Sequence, residues 1–290
     1  MTSLKKKVAL LFGSLLGLLL VASFWFFKLP SIPETELPTS TEAIKRGEYM
    51  VYAGGCISCH QGTDGTPGLS GGLALESDFG TFYVPNITPD SETGIGGWSG
   101  RDFLLALKHG RDADWEFFFP AFPYRSYAGM TDADVLDVGA YLMAQEAVVK
   151  EVPDHELVPW LTSWMMPGWN LLADFLQPGL TMPADPVQAR GAYLVRHLGH
   201  CGECHTPRNE LGITDLNNEL AGAVVGDKTI EAINQAALAD WSEEDIVLLL
   251  LLGVKPDGEY VGGEMADVID HNTSRLTQAD QQAIAAFLKR

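Results

Sequence analysis

The sequence predicts a mainly α-helical protein made of two similar tandem domains behind one N-terminal apolar helix. Three observations predict it: a long internal repeat, helix-start signals at matched places in both copies, and an uncharged apolar run from Val8 to Phe27. The repeat opens with Arg46-Gly47-Glu48-Tyr49-Met50-Val51, which returns as Arg190-Gly191-Ala192-Tyr193-Leu194-Val195. Trp98-Ser99, Asp102 and Gly110 return at identical internal spacing as Trp241-Ser242, Asp245 and Gly253. Thr131, Asp134, Tyr141 and Leu142 match Thr277, Asp280, Phe287 and Leu288. A unit of this length means two similar domains, because solenoid units are far shorter.

The apolar run is long enough to span a bilayer's hydrocarbon core as a helix. Lys5, Lys6 and Lys7 precede it and Trp25, Phe26 and Phe27 close it. The lysines are expected to keep the N-terminus cytoplasmic, and the aromatics sit where an interfacial belt would be. Residues 1–28 are therefore expected to be a single-pass anchor in a bacterial inner membrane, with the rest of the chain in the periplasm. A cleaved signal peptide, with Ala22 and Ser23 as weak cleavage-site residues, is the alternative. Residues 29–40 hold three prolines and read as a semi-rigid tether.

The helical character of the two domains, 41–150 and 185–290, comes from their start signals. Thr39-x-x-Glu42 is a capping-box pattern, and Asp185-Pro186 is an N-cap followed by proline at the first helical position. Ser99-x-x-Asp102, Ser242-x-x-Asp245, Thr131-x-x-Asp134 and Thr277-x-x-Asp280 are looser versions of the same signal. Apolar residues then recur at helical spacing, as in Val135, Val138, Tyr141 and Leu142. Little strand pattern is visible. The connector, residues 151–184, holds Trp160, Trp164, Met165, Met166, Trp169 and Phe175. It reads as a strap buried between the domains, with a docking or membrane-facing patch as the sharper alternative.

Composition narrows the partners. The chain has 38 acidic and 19 basic residues. Residues 1–28 contain four lysines and no acid, leaving 15 basic against 38 acidic residues, a net of −23, beyond them. Such a surface suits solubility and steering toward a basic partner face, and disfavours nucleic acid and anionic lipid.

The four cysteines form two pairs, Cys56-Ile57-Ser58-Cys59-His60 and Cys201-Gly202-Glu203-Cys204-His205. Both fit the c-type haem attachment pattern. Cysteines three apart lie on one helical face and reach the two vinyl groups of one porphyrin, and the next residue aims its imidazole at the iron. Two covalently bound haems c are expected, with Cys56, Cys59, Cys201 and Cys204 as attachment points and His60 and His205 as proximal ligands. A thioredoxin-like dithiol would want a βαβ context that is missing, and a four-thiolate zinc site would leave both histidines unexplained.

A thioether as sixth ligand raises the reduction potential and suits an electron carrier. Met265, 12 residues after Gly253 in a Gly-Gly-Glu-Met loop, is the expected sixth ligand of the second haem. The same count in the first copy lands on Phe122, which cannot bind iron. Met130 is the nearest methionine there; it aligns with Leu276 and reads first as core, with iron ligation as the alternative. Met143 lies inside the last helix of that copy and fits less well. His197, His200 and His271 read as surface or loop histidines, and Arg208 as a partner of a haem propionate or of an acid.

These motifs, with Asn86-Ile87-Thr88-Pro89-Asp90, Thr93-Gly94-Ile95-Gly96, Pro120-Ala121-Phe122-Pro123-Tyr124 and Gly199-His200-Cys201 through Thr206-Pro207-Arg208-Asn209, make the chain resemble the cytochrome c subunit of membrane-bound alcohol and gluconate dehydrogenases. The resemblance implies cytochrome c domains of the class I type. It implies electron transfer from a dehydrogenase catalytic subunit to ubiquinone, a cytochrome or a terminal oxidase of a respiratory chain. Many members carry three haem motifs where this chain has two, and some have methionine where it has Phe122. A dihaem enzyme, peroxidase-like or thiosulfate-oxidising, with an open first haem is the rival reading.

Overall fold

The computed structural model describes residues 31–112, 114, 116–225 and 228–290, together with Gly13 and Gly17. Its helices are α1 (Thr41–Ala53), α2 (Cys56–His60), α3 (Gly100–His109), α4 (Tyr124–Tyr127), α5 (Asp132–Met143), α6 (Met166–Leu176), α7 (Pro186–Tyr193), α8 (Gly202–His205), α9 (Glu243–Leu252), α10 (Glu264–His271) and α11 (Gln278–Leu288). Its strands are β1 (Ala74–Ser77), β2 (Gly80–Tyr83), β3 (Glu156–Leu157), β4 (Ala223–Val225) and β5 (Lys228–Ile230).

The repeated sequence folds into repeated packing. Helix α1 crosses α5, and α7 crosses α11 in the same way. The repeated Arg-Gly-x-Tyr explains how they come so close. A Cβ on Gly47 would sit 1.8 Å from the Asp137 carbonyl oxygen, and one on Gly191 would sit 1.9 Å from that of Ala283. Only glycine lets these backbones touch. Beside each crossing Arg46 forks onto Asp137, at 2.6 and 2.9 Å, and Arg190 onto Asp280, at 2.8 Å twice.

The start signals become real caps. Ser99 and Asp102 form a full capping box, as do Ser242 and Asp245. Thr131, Thr277 and Asp185 cap α5, α11 and α7. The cap of α1 is Ser40 rather than Thr39, since its hydroxyl accepts from the Ala43 amide at 3.2 Å. Buried apolar residues of both copies form one continuous cluster, including Val51, Phe103 and Val135 with Val195, Ile246 and Ile284.

One element differs between the copies. From Arg46 to Gly54 is eight residues, and from Arg190 to Gly199 is nine. The extra residue is taken up by a π-helical turn, Leu194–Leu198, that continues α7. Gly54 closes its helix onto Met50, four residues back, whereas Gly199 closes onto Leu194, five back, each at 2.7 Å. A π turn stores one inserted residue without changing the direction of the helix.

Three expectations are corrected. First, strands exist: β1 and β2 form an antiparallel hairpin, with Ala74 opposite Tyr83, joined by β3, and β4 pairs with β5. They are two to four residues long, too short to display alternation. Second, the connector is not a buried strap. Met166, Pro167 and Ala173 of α6 are buried, and Trp169 Nε1 donates to Leu211 O at 2.8 Å, but Trp160, Trp164, Leu171 and Phe175 are exposed, Phe175 by 84%. Third, the single-pass inner-membrane location with a periplasmic body is not supported. Among the described residues no helix is long and apolar enough to cross a membrane. The longest, α1, has 13 residues and rises only about 20 Å, against a hydrocarbon core of about 30 Å. The run Val8 to Phe27 lies outside the described residues apart from Gly13 and Gly17.

Candidate cofactor-attachment site

Each Cys-x-x-Cys-His segment begins after a left-handed residue. Gly55 has φ +70°, and its counterpart His200 has φ +39°, unusual for a residue with a side chain. The turn redirects the chain from α1 into α2, and from the π turn into α8. Cys56, Cys59 and Cys201 are half-buried and Cys204 is exposed. Burial pushes the thiols of Cys56 and Cys201 up to about 12; those of Cys59 and Cys204 are also raised, first by burial. Such thiols stay protonated at neutral pH, opposite to the depressed thiol of a catalytic dithiol.

The two histidines share one arrangement. His60 Nδ1 donates to the Pro85 carbonyl at 2.9 Å, and His205 Nδ1 donates to the Glu231 carbonyl at 2.7 Å. That bond fixes the ring and leaves Nε2 with a free lone pair, as a metal-ligating histidine requires. Burial pulls His60 down to about 4, against the upward pull of the Pro85 carbonyl, so the ring is neutral and able to ligate. The loop after each motif closes alike: Gly71 N donates to His60 O and Gly222 N to His205 O, both at 2.8 Å. Both glycines have positive φ, +69° and +82°.

Each motif is bonded to the other copy of the repeat. Ser58 Oγ donates to Asn272 Oδ1 at 3.3 Å, and Ser126 Oγ donates to Glu203 Oε1 at 2.6 Å. Ser58 and Glu203 are the third residues of their motifs, and Asn272 and Ser126 each stand five residues before a threonine cap. At the centre, the Tyr127 hydroxyl and His200 Nε2 both donate to Gly54 O, at 2.7 and 3.2 Å, with the two rings 5.3 Å apart. His200, expected on a surface or loop, is thus held between the motifs; burial lowers its pKa. His197 Nδ1 donates to Ser126 O at 3.1 Å, and His271 is a half-exposed residue closing α10. Arg208 pairs with Glu203, the acid-partner alternative.

The methionines are placed as follows. Met265 is the second residue of helix α10, whose N-cap is Gly263, rather than a loop residue. The glycines that suggest a loop form the entry to a helix. Met130 is 3% exposed, in the shared apolar core directly before the Thr131 cap. Met143 ends α5, half-buried. Phe122 packs against Phe118 and Tyr127 at 6.0 and 5.5 Å between ring centres.

One basic side chain beside the first motif carries no sequence signal. Lys150 Nζ donates to Gly71 O at 2.7 Å, Thr63 Oγ1 at 2.9 Å and Thr63 O at 3.4 Å. The carbonyl acceptors for His60 and His205 are equally hidden from a sequence reading, being backbone atoms.

A porphyrin fits this donor set: two thiols on one helical face, a neutral imidazole with Nε2 free, and partly open apolar neighbours such as Ile57, Leu69 and Ile87. The arrangement, present twice in a helical fold, is that of a c-type cytochrome. No family model matches the chain. It is 44% identical over 279 residues to a dihaem cytochrome c-type protein of Cereibacter sphaeroides, covering 93% of each. It is 37% identical over 263 residues to the gluconate 2-dehydrogenase cytochrome c subunit of Pantoea cypripedii, covering 85% of this chain and 59% of that one. It is 36% identical over 270 residues to the fructose dehydrogenase cytochrome subunit of Gluconobacter japonicus, covering 89% of this chain and 54% of that one. The chain thus spans little more than half the length of those two dehydrogenase subunits. It belongs to a family of c-type cytochromes that includes this dihaem protein and the cytochrome c subunits of such dehydrogenases. It is an electron-transfer protein with two covalently bound haems c, and not itself the catalyst of a substrate reaction.

Proposed function

We propose that one haem is attached through Cys56 and Cys59 with His60 as its proximal ligand, and the other through Cys201 and Cys204 with His205. The matched Nδ1 bonds to Pro85 O and Glu231 O carry this reading, because each fixes the ring directly after its cysteine pair and leaves Nε2 as the ligating nitrogen. Residues 41–150 and 185–290 form the two cytochrome c domains, joined by 151–184. Met265 is the sixth ligand of the second haem. The first haem is five-coordinate or takes Met130. When bound, the haems supply the one-electron couple; the chain fixes their spacing and sets their surroundings. The partners are a dehydrogenase catalytic subunit as donor and ubiquinone, a cytochrome or a terminal oxidase as acceptor. Relatives named as subunits of gluconate, alcohol and fructose dehydrogenases support this.

The test is haem counting on purified protein by alkaline pyridine spectra and intact mass. Two haems survive acid–acetone extraction in the natural chain, and one survives in each of the C56A/C59A and C201A/C204A double variants. Colour lost on extraction, or a mass equal to the bare polypeptide, overturns the assignment. Co-purification with a dehydrogenase, followed by haem reduction on adding its substrate, tests the donor.

A further inference from the structure

The surroundings of the two histidines match in backbone but not in charge. At the first, Gly71 bonds the His60 carbonyl through its amide and accepts Lys150 Nζ through its own carbonyl. Gly71 also lies against the Pro85 carbonyl that orients His60; a Cβ there would be 2.4 Å from Pro85 O. A single residue, Gly71, thus separates Lys150 from the His60 backbone and from the Pro85 carbonyl that holds the imidazole. Its place is built: Gly72, φ +99°, lacks the Cβ that would sit 2.8 Å from Lys150 Nζ, and the Lys150 amide is tied to Thr93 Oγ1 at 3.0 Å. All three acceptors of the ammonium are neutral oxygens, so dipoles hold it rather than a counter-charge. At the second histidine two cations lie nearby and each has a carboxylate: Lys255 faces Glu231 at 3.4 Å, the residue whose carbonyl takes the His205 proton, and Arg208 pairs with Glu203. There the positive charge is largely cancelled.

We infer that Lys150 sets the reduction potential of the haem at Cys56, Cys59 and His60, raising it relative to the second. This rests on the proposed attachment of that haem. Oxidised iron carries one more positive charge than reduced iron, so a fixed cation nearby disfavours the oxidised form, most strongly where water is partly excluded. The order of electron flow through the protein is then biased by one ammonium that faces no carboxylate among the described residues.

The experiment is an equilibrium redox titration of the purified dihaem protein, followed optically, for the natural chain and for K150Q, K150M and K150R. Lys150→Gln keeps a donor for Gly71 O but no charge; Lys150→Arg keeps the charge. One midpoint falls in K150Q and K150M, the other stays, and K150R remains near the natural value. If K150Q titrates like the natural chain, or both midpoints fall together, the inference is wrong. Haem content by pyridine spectra accompanies each titration, and the C56A/C59A variant identifies which step disappears. Two haems present with unmoved midpoints sinks Lys150 alone, whereas no haem lost on removing Cys56 and Cys59 sinks the attachment itself.

Discussion

The Tyr49 hydroxyl donates to Asp280 Oδ2 at 2.5 Å, across 231 residues of sequence, and accepts from the Thr277 amide at 3.2 Å. Its counterpart Tyr193 donates to Asp134 and accepts from the Thr131 amide at 3.4 Å. Each copy of the repeat therefore completes the helix cap of the other.

Tyr49→Phe and Tyr193→Phe each remove one bond to a carboxylate and are expected to destabilise the protein by about 1.5–3 kcal/mol. Arg190 grips Asp280, the acceptor of Tyr49, and lies 5.4 Å over the Tyr193 ring, so the two sites share a partner and the double variant departs from the sum of the single losses. Urea denaturation of the haem-loaded protein measures both; single losses near zero mean the exchanged bonds carry no stability.

Asp280 also governs an acid limb. Burial raises its pKa, but the bonds from Arg190 and Tyr49 outweigh this and hold it below the ordinary carboxylate range. A carboxylate depressed in the folded state contributes stability above its unfolded value of about 3.9, and loses it as pH falls through the folded value. Asp280→Asn is less stable at neutral pH, and its stability falls less steeply below about pH 4. Parallel stability curves for the two proteins would exclude this role.

The helix crossings permit a sharper test. Gly47→Ala and Gly191→Ala force a methyl into backbone at 1.8 and 1.9 Å, so each is expected to lose about 3 kcal/mol or more. Gly97→Ala meets nothing within 4 Å and serves as a near-neutral control. Thermal unfolding ranks the three.

Met265→Leu keeps the volume but removes the thioether. If Met265 ligates the second haem, one midpoint falls and that haem's methionine–iron absorption band vanishes. A variant with an unchanged spectrum places the sixth ligand elsewhere.

Much of this fold is legible in the sequence because it repeats. Ser99, Ser242, Thr131, Thr277 and Asp185 announce caps locally, and each is found as one. The attachment motifs are local as well, since one turn of helix contains the spacing that matters. What the sequence hides is made at a distance. The exposure of Trp160, Trp164 and Phe175 depends on what packs over them, and hydrophobicity alone reads as burial. Met265 reads as a loop residue because glycine at 262 and 263 marks a helix entrance as readily as a turn. His200 looks incidental because its role comes from Gly54, 146 residues away.

The π turn at Leu194–Leu198 accounts for the one-residue offset between the two copies. An added residue in a plain helix rotates everything beyond it by roughly 100° and would swing the attachment cysteines off their face. Taken up in the widened turn, the extra residue leaves Cys201 two residues after the glycine that closes the helix, as Cys56 is in the first copy. Ungapped comparison of the two copies slips out of register at that point.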